Sequence, residues 1–394
     1  MTGIFILALA YVISHFYRAF LAVLSPVLSS DLGMTPADLS NALGAWFAAF
    51  ALSQFLVGSL LDRVGPKWTS AGLFAVFGAG GGVLFAQAQS PTFVMIAMVA
   101  LGIGCSPILM ASVYIFKRAF SPSRFAMLTS LNIAVGMAGN ILGTTPLVNA
   151  MDAVGWRGVL YGLSGVTILL SVFIVLVVKD PPKAPQAGQG SYLDVIRIRS
   201  LWVILPLIFF NYAVAGGLRG IWAGPYLNLV HGLDAAAIGT ATFYMALAMV
   251  VGSIAYGPMD QALKTRKWVV VGGSLVVAVT IWYWTLNPGM AAGRATVALV
   301  CIGLFAMSYG VLMAHASANI PDHLTGRGVT LINFFNMGGV GVMQWVTAGV
   351  YKSSQSQSDP LAGFQTVLMT YAVLFSAALA VYLLSKDAPP QAKG

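Results

Sequence analysis

Residues 179–200 read KDPPKAPQAGQGSYLDVIRIRS, a polar stretch holding Pro181, Pro182, Pro185, Gly188 and Gly190. Proline and glycine in such a cluster interrupt regular structure. Working outward in both directions, the chain becomes a succession of long apolar runs, six on each side. The first six lie near residues 4–29, 39–61, 69–88, 92–116, 125–148 and 158–178. The second six lie near 201–229, 238–258, 268–286, 295–317, 328–351 and 364–385. Each is about long enough to cross a bilayer as a helix. The expected fold is an all-α membrane protein with twelve transmembrane helices, arranged as a six-helix bundle over 1–178, a cytoplasmic linker over 179–200 and a second six-helix bundle over 201–394.

Composition agrees with that division. Of the 394 residues 58% are hydrophobic and 8% charged, with a mean hydropathy of +0.85. A soluble domain carries about 25% charged residues, so a water-soluble enzyme is excluded. The net charge of +9 comes from short basic groups scattered between apolar runs, which argues against nucleic acid as a partner. Cys105 and Cys301 both fall inside apolar runs and define no disulfide framework. The run starting at Ile4 has no preceding basic segment and is too long for a signal-peptide core, so it is read as the first span.

Charge also orients the chain. Fifteen Lys and Arg lie in one alternating set of loops and at the tail, against Arg157, Arg294 and Lys352 in the other set. Positive loops stay inside, so both termini are expected in the cytoplasm, with a bacterial-type inner membrane as the setting. The two remaining basic residues, Arg18 and Arg219, fall within spans one and seven.

The halves read as copies. Arg18 and Arg219 are 201 positions apart, Asn132 and Asn333 also 201, Trp68 and Trp268 200, and Pro26 and Pro225 199. Duplicated halves with a site at their interface are a recurring transporter plan. Between spans two and three stands Gly58-Ser59-Leu60-Leu61-Asp62-Arg63-Val64-Gly65-Pro66-Lys67, echoed by Gly257-Pro258-Met259-Asp260 with Lys264, Arg266 and Lys267. Gly155-Trp156-Arg157 leads into span six, and Gly326-Arg327-Gly328 into span eleven. On these segments the chain resembles the major facilitator superfamily over nearly its whole length. The resemblance implies a conformational gating role for Gly58, Asp62, Arg63, Gly65 and Lys67. Gly58 is expected to permit close helix approach, and Asp62 to pair with a cation or a helix end. Met98 stands where the family's proton-linked exporters often carry an arginine, and span five has Gly136, Gly139, Gly143 and Pro146 without the Gly-Pro dipeptide of drug antiporters.

The eleven acidic residues are all Asp, all at span ends or in loops, and the chain has no Glu. Arg18 is roughly 16 to 21 Å of helix from either end of its run, and a charge at that depth costs about 2.5–3.5 kcal/mol. Its permanently charged planar fork suits two-point binding of carboxylate or phosphate, so an anionic substrate is its expected partner. Tyr17-Arg18 with Pro26 resembles span one of the anion:cation symporter and organophosphate antiporter branches. That likeness implies anion binding by Arg18, and by Arg219 in the matching place, followed by Trp222 and Gly224-Pro225.

Further candidates are His15 and His315, the intramembrane groups able to titrate near neutral pH, and Asn132, Asn333, Asn336 and Gln344, which either orient substrate or bond between helices. Tyr17, Trp46, Gln54, Tyr114, Asn211, Tyr212, Trp222, Tyr244 and Tyr309 offer an aromatic or polar wall. Tyr17 and Trp222 are preferred because each lies close to an arginine. Met245, Met249, Met307 and Met313 with His315 invite a soft-metal reading, although methionine in so apolar a chain ordinarily packs. There is no phosphate-binding loop, hydrolase elbow or metalloprotease motif. The expectation is a non-enzymatic, cofactor-free and metal-free monomer, a secondary transporter of a small organic anion, coupled to protons or working by exchange. An exporter of amphipathic compounds and a copper importer are the alternatives.

Overall fold

The computed structural model describes the chain apart from residues 1, 121, 182–191, 322–323, 355–359 and 390–394. The centre of the expected linker therefore lies outside the described residues. Every regular element described is helical. Nine helices are long and apolar enough to cross a membrane, ten if the bent pair Thr2–Phe16 and Phe20–Leu32 counts as one span. Pro122–Leu142 and Thr325–Ser354 occupy the places of spans five and eleven.

Local sequence explains many of the helix ends. Span two, Pro36–Arg63, starts with Pro36 at its first position and a reciprocal box. Asp38 N donates to Thr35 Oγ1 at 3.2 Å, and Thr35 N donates to Asp38 at 3.1 Å. Two prolines inside helices, Pro26 and Pro107, are each managed by the serine before them. Pro26 and Pro107 lack the N–H that would bond Ala22 O and Ile103 O. Ser25 Oγ supplies the first bond at 2.8 Å and Ser106 Oγ the second at 2.7 Å.

Two departures from the expected spans matter. Span one is not continuous: it bends by 46° between Thr2–Phe16 and Phe20–Leu32. Span five is not continuous either: after Leu142 the chain re-enters helix at Thr145, and Thr145–Val177 is two helices that meet at Gly155, whose non-helical φ of 71° suits glycine, so that the second helix opens beside the expected start of span six. Beside that kink Trp156 Nε1 donates to Asp31 at 2.9 Å. Arg157 stacks on the Trp156 ring, lies 3.6 Å from Asp31 and donates to Ala88 O. The Gly-Trp-Arg segment thus ties the end of span one to spans three and six.

The chain divides into two compact units, Met1–Ala187 with Asp234–Thr240, and Gly188–Leu233 with Ala241–Gly394. In the first unit span one packs on span five, and span four on spans two and three. In the second, span seven packs on spans eleven and twelve, and span nine on spans ten and twelve.

One device appears in both units. Just past the sixth helix, Lys179-Asp180 precedes prolines, and just past the twelfth, Lys386-Asp387 does the same. Asp180 accepts from Lys67 N at 2.8 Å. Asp387 accepts from Lys267 N at 3.0 Å, from Arg266 N at 3.2 Å and from the Thr265 hydroxyl. Each carboxylate therefore caps the helix that opens span three or span nine, where helix polarity favours an anion. Gly65 has φ 101°, and a Cβ there would fall 2.7 Å from the Asp180 carboxylate, so both conformation and space require glycine. Burial would raise the Asp387 carboxyl, but the Thr265 and backbone hydrogen bonds and nearby His315 outweigh it, holding the group below the usual carboxylate range.

Gly58 corrects an expectation. A Cβ there would meet no atom within 4 Å, so the anticipated close helix approach is absent. Asp62 does pair with a cation: Arg118 lies 3.6 Å away and stacks on Tyr114, whose hydroxyl donates to Asp62 at 3.2 Å.

Candidate functional site

The bend in span one falls on Tyr17-Arg18-Ala19. Tyr17 N still bonds four residues back, to Ile13 O, but Arg18 N and Ala19 N bond only three back, to His15 O and Phe16 O. The ladder tightens there and the helix changes direction. Span five supports the bend with its glycines: Gly136 lies against Tyr11, Gly139 against Val12, His15 and Phe16, and Gly143 against Ala19. A side chain at Gly139 would collide with the Val12 carbonyl.

Arg18, projecting from this turn, is only 3% exposed. Its guanidinium carbon lies 5.0 Å from the Phe50 ring centroid, 5.3 Å from that of Trp46 and 5.8 Å from that of Tyr11. Nη2 reaches Ser14 Oγ at a long 3.4 Å, while Nε has no hydrogen-bond partner among the described residues. The buried Cys105 thiol is within electrostatic reach. No described aspartate pairs with Arg18. A cation over a ring gains about 0.5–2 kcal/mol, so three rings offset an insertion cost of about 2.5–3.5 kcal/mol. Ring faces do this without engaging N–H groups, which leaves the fork able to bind an oxyanion.

In the second unit Arg219 is 1% exposed and sits on a π turn, Leu218–Trp222. Pro225 accounts for the irregularity, since it lacks the N–H that would bond Ile221 O. Single π turns of this kind recur at functional sites. Arg219 Nε and Nη2 make no hydrogen bond among the described residues, while polar side chains nearby bond one another. Trp222 Nε1 donates to Thr347 Oγ1 at 3.1 Å, and Gln344 Nε2 to the Tyr371 hydroxyl at 3.4 Å; both of these last groups lie against Gly217.

The remaining predicted residues divide in the same way. Asn132 is 2% exposed with neither amide atom hydrogen-bonded among the described residues, and Asn336 is buried with an unbonded Nδ2. Asn333 is half-buried. His15 meets the Tyr11 ring edge-on at 4.4 Å and its Nδ1 faces Tyr11 O at 3.3 Å, so His15 and Arg18 share one aromatic neighbour. Both preferred residues and one further candidate have their polar groups turned elsewhere. Tyr17 does not join the rings around Arg18: its hydroxyl lies beside Gly82 and Ser164 of spans three and six. The indole N–H of Trp222 is taken by Thr347. His315 is enclosed in its own unit, Nδ1 2.7 Å from the Tyr382 hydroxyl and Nε2 2.9 Å from Lys386 O. Since a carbonyl only accepts, Nε2 carries hydrogen there, and a neutral ring takes the tyrosine proton at Nδ1. Met245 and Met249 pack on Gly303, and Met307 on Gly252.

In the sequence Trp46 is one of nine aromatic and polar candidates with nothing to favour it, and those nine do not include Tyr11, Ser14 or Phe50. The first helix and span two converge on Arg18 only once the turn is formed, and no proline or glycine marks that turn.

The sequence profile of the Major Facilitator Superfamily matches residues 7–343. The chain belongs to this superfamily. Its relatives include a glycerol-3-phosphate transporter of Bacillus subtilis (strain 168), 26% identical and covering 84% of this chain and 81% of that protein. A probable L-galactonate transporter of Escherichia coli (strain K12) is 22% identical, covering 78% and 73%. The multidrug resistance protein MdtL of Klebsiella pneumoniae (strain 342) is also 22% identical, covering 74% of each chain. Among solved structures, a bacterial homologue of the human lysosomal transporter Spinster superposes with a TM-score of 0.79 at 16% identity, covering 97% of this chain and 96% of that one. The protein is thus a multi-pass membrane transporter of the major facilitator fold.

Proposed function

We propose that this superfamily member carries a small organic anion with a carboxylate or phosphate group by alternating access, and that Arg18 and Arg219 are the charges that recognise it. The observation carrying this reading is Arg18, a buried permanent cation held by three rings and one long hydrogen bond, with no aspartate pair among the described residues. A ligand oxyanion supplies the missing charge. Asn132 and Asn336, buried with unbonded amide atoms, are suited to orient the rest of the ligand.

His15 is the candidate proton carrier, because both ring nitrogens of His315 are engaged within its own unit. If His15 does not titrate, exchange of one anion for another is the mechanism. Cytoplasmic termini and an inner-membrane setting follow from the loop charges and the bacterial relatives.

The test is counterflow in proteoliposomes with radiolabelled glycerol 3-phosphate and galactonate as probes. Uptake that is competed by other organic anions and lost in Arg18→Ala supports the reading. Undiminished uptake in Arg18→Ala, or transport of cationic dyes with no response to anions, overturns it in favour of an exporter of amphipathic compounds.

A further inference from the structure

Trp46 presents a donor that packing does not explain. The residue is fully buried, its ring stacks on Phe50 at 5.1 Å and 16°, and the Arg18 guanidinium carbon lies 5.3 Å from the Trp46 ring centroid and 5.0 Å from that of Phe50. Its Nε1 has no hydrogen-bond partner among the described residues, and neither has Arg18 Nε. Buried indoles ordinarily find an acceptor, and a stranded buried donor is destabilising. If the ring served only as a face for the guanidinium, phenylalanine would serve equally and strand nothing. Phe50, on the same helix one turn later, does just that.

What the indole N–H and the guanidinium lack in common is an anionic oxygen. An arginine fork bound at two points uses both oxygens of a planar carboxylate. A phosphate or sulfonate has a third oxygen outside that pair. We propose that Trp46 is a substrate-positioning residue whose indole N–H takes this third oxygen, so that the site favours tetrahedral oxyanion headgroups over carboxylates. The inference rests on the anion reading above and narrows it. Trp46 thereby sets specificity while Arg18 sets affinity for negative charge. A hydrogen bond to a charged acceptor corresponds to about a ten- to hundredfold difference in affinity.

The experiment measures binding of four probes to the purified full chain in nanodiscs: glycerol 3-phosphate and sulfoacetate, and the carboxylates glycerate and malonate. Wild type is expected to bind the tetrahedral pair about tenfold or more tightly than the planar pair. Trp46→Phe is expected to erase that ratio by weakening only the tetrahedral pair, with the thermal melt unchanged or raised. Arg18→Ala is expected to lose all four. Equal weakening of all four probes by Trp46→Phe, or no change, overturns the role of Trp46 and leaves the anion reading intact. Retained binding in Arg18→Ala overturns the anion reading itself, and no binding by wild type overturns both. Should Trp46→Phe fail to fold, nitrogen-15 spectra of the nine wild-type indoles carry the test. One indole N–H moving downfield with glycerol 3-phosphate but not with glycerate supports the proposal, and no such movement overturns it.

Discussion

The turn that carries Arg18 and the turn that carries Arg219 occupy matching places in a duplicated sequence, yet their surroundings differ. Around Arg18 the neighbours are ring faces, and the donors of Arg18 and Trp46 remain available. Around Arg219 the nearby polar side chains bond one another, Trp222 with Thr347 and Gln344 with Tyr371. Even the backbone solutions differ, a tightened turn without proline in one case and a π turn upstream of Pro225 in the other. Duplication preserved the charge and let its setting diverge: rings surround Arg18, whereas mutually bonded polar side chains adjoin Arg219, whose own Nε and Nη2 make no hydrogen bond among the described residues; under the function proposed above, the first turn is the one that receives the ligand oxygen.

Substitutions can break this contrast, and the largest effect belongs to the arginines. Arg18→Ala should weaken anion binding at least about a hundredfold, the scale of losing a charged two-point contact, as measured by calorimetry with glycerol 3-phosphate. Arg219→Ala should also abolish counterflow but leave measurable anion binding. The reverse pattern would invert the assignment of the two turns.

Next in size is His315→Ala, which strands the Tyr382 hydroxyl and the Lys386 carbonyl and should cost about 2–3 kcal/mol of stability. Anion affinity should stay within about threefold, because the histidine is enclosed in its own unit. A loss of affinity without a lower melting temperature would return His315 to the binding site.

Trp222→Phe sharpens the comparison with Trp46→Phe. Removing a satisfied indole bond should lower stability by about 1 kcal/mol with anion affinity almost unchanged, the opposite of what is expected at Trp46. Thermal melts and binding titrations on the two variants decide it.

The smallest effect concerns Asp387. Its carboxyl is held below the ordinary range, so its contribution to stability is complete above about pH 4. That contribution is lost as pH falls further, through the folded value. Asp387→Asn should therefore lower the melting temperature slightly at pH 7 and flatten its decline in acid. An identical acid profile for both proteins would show that the cap contributes nothing.

Sequence made the helical fold legible because lipid demands long apolar runs. The two arginines stood out for the same reason, as charges where charges are costly. Less visible were the consequences of three-dimensional contact. No residue type announces the turn at Tyr17-Arg18-Ala19, because its support comes from span-five glycines more than a hundred positions later. Proximity in sequence favoured Tyr17, yet the bend turns adjacent side chains toward different helices, and Trp46 from another span takes the place beside the guanidinium. Gly224-Pro225 did signal an irregularity, but proline perturbs the carbonyl four residues before it, so the π turn lies upstream. Trp222 looked available until Thr347, 125 positions away, was found to accept its N–H.

The short stretch after the twelfth helix has a practical consequence. Lys386 O receives His315, Asp387 caps span nine, and Ala388 O accepts from Arg266. A truncation or affinity tag beginning at Leu383 would unplug a buried imidazole and uncap a neighbouring helix at once, whereas one placed beyond Ala388 keeps these three attachments; expression yield of the two designs should differ accordingly.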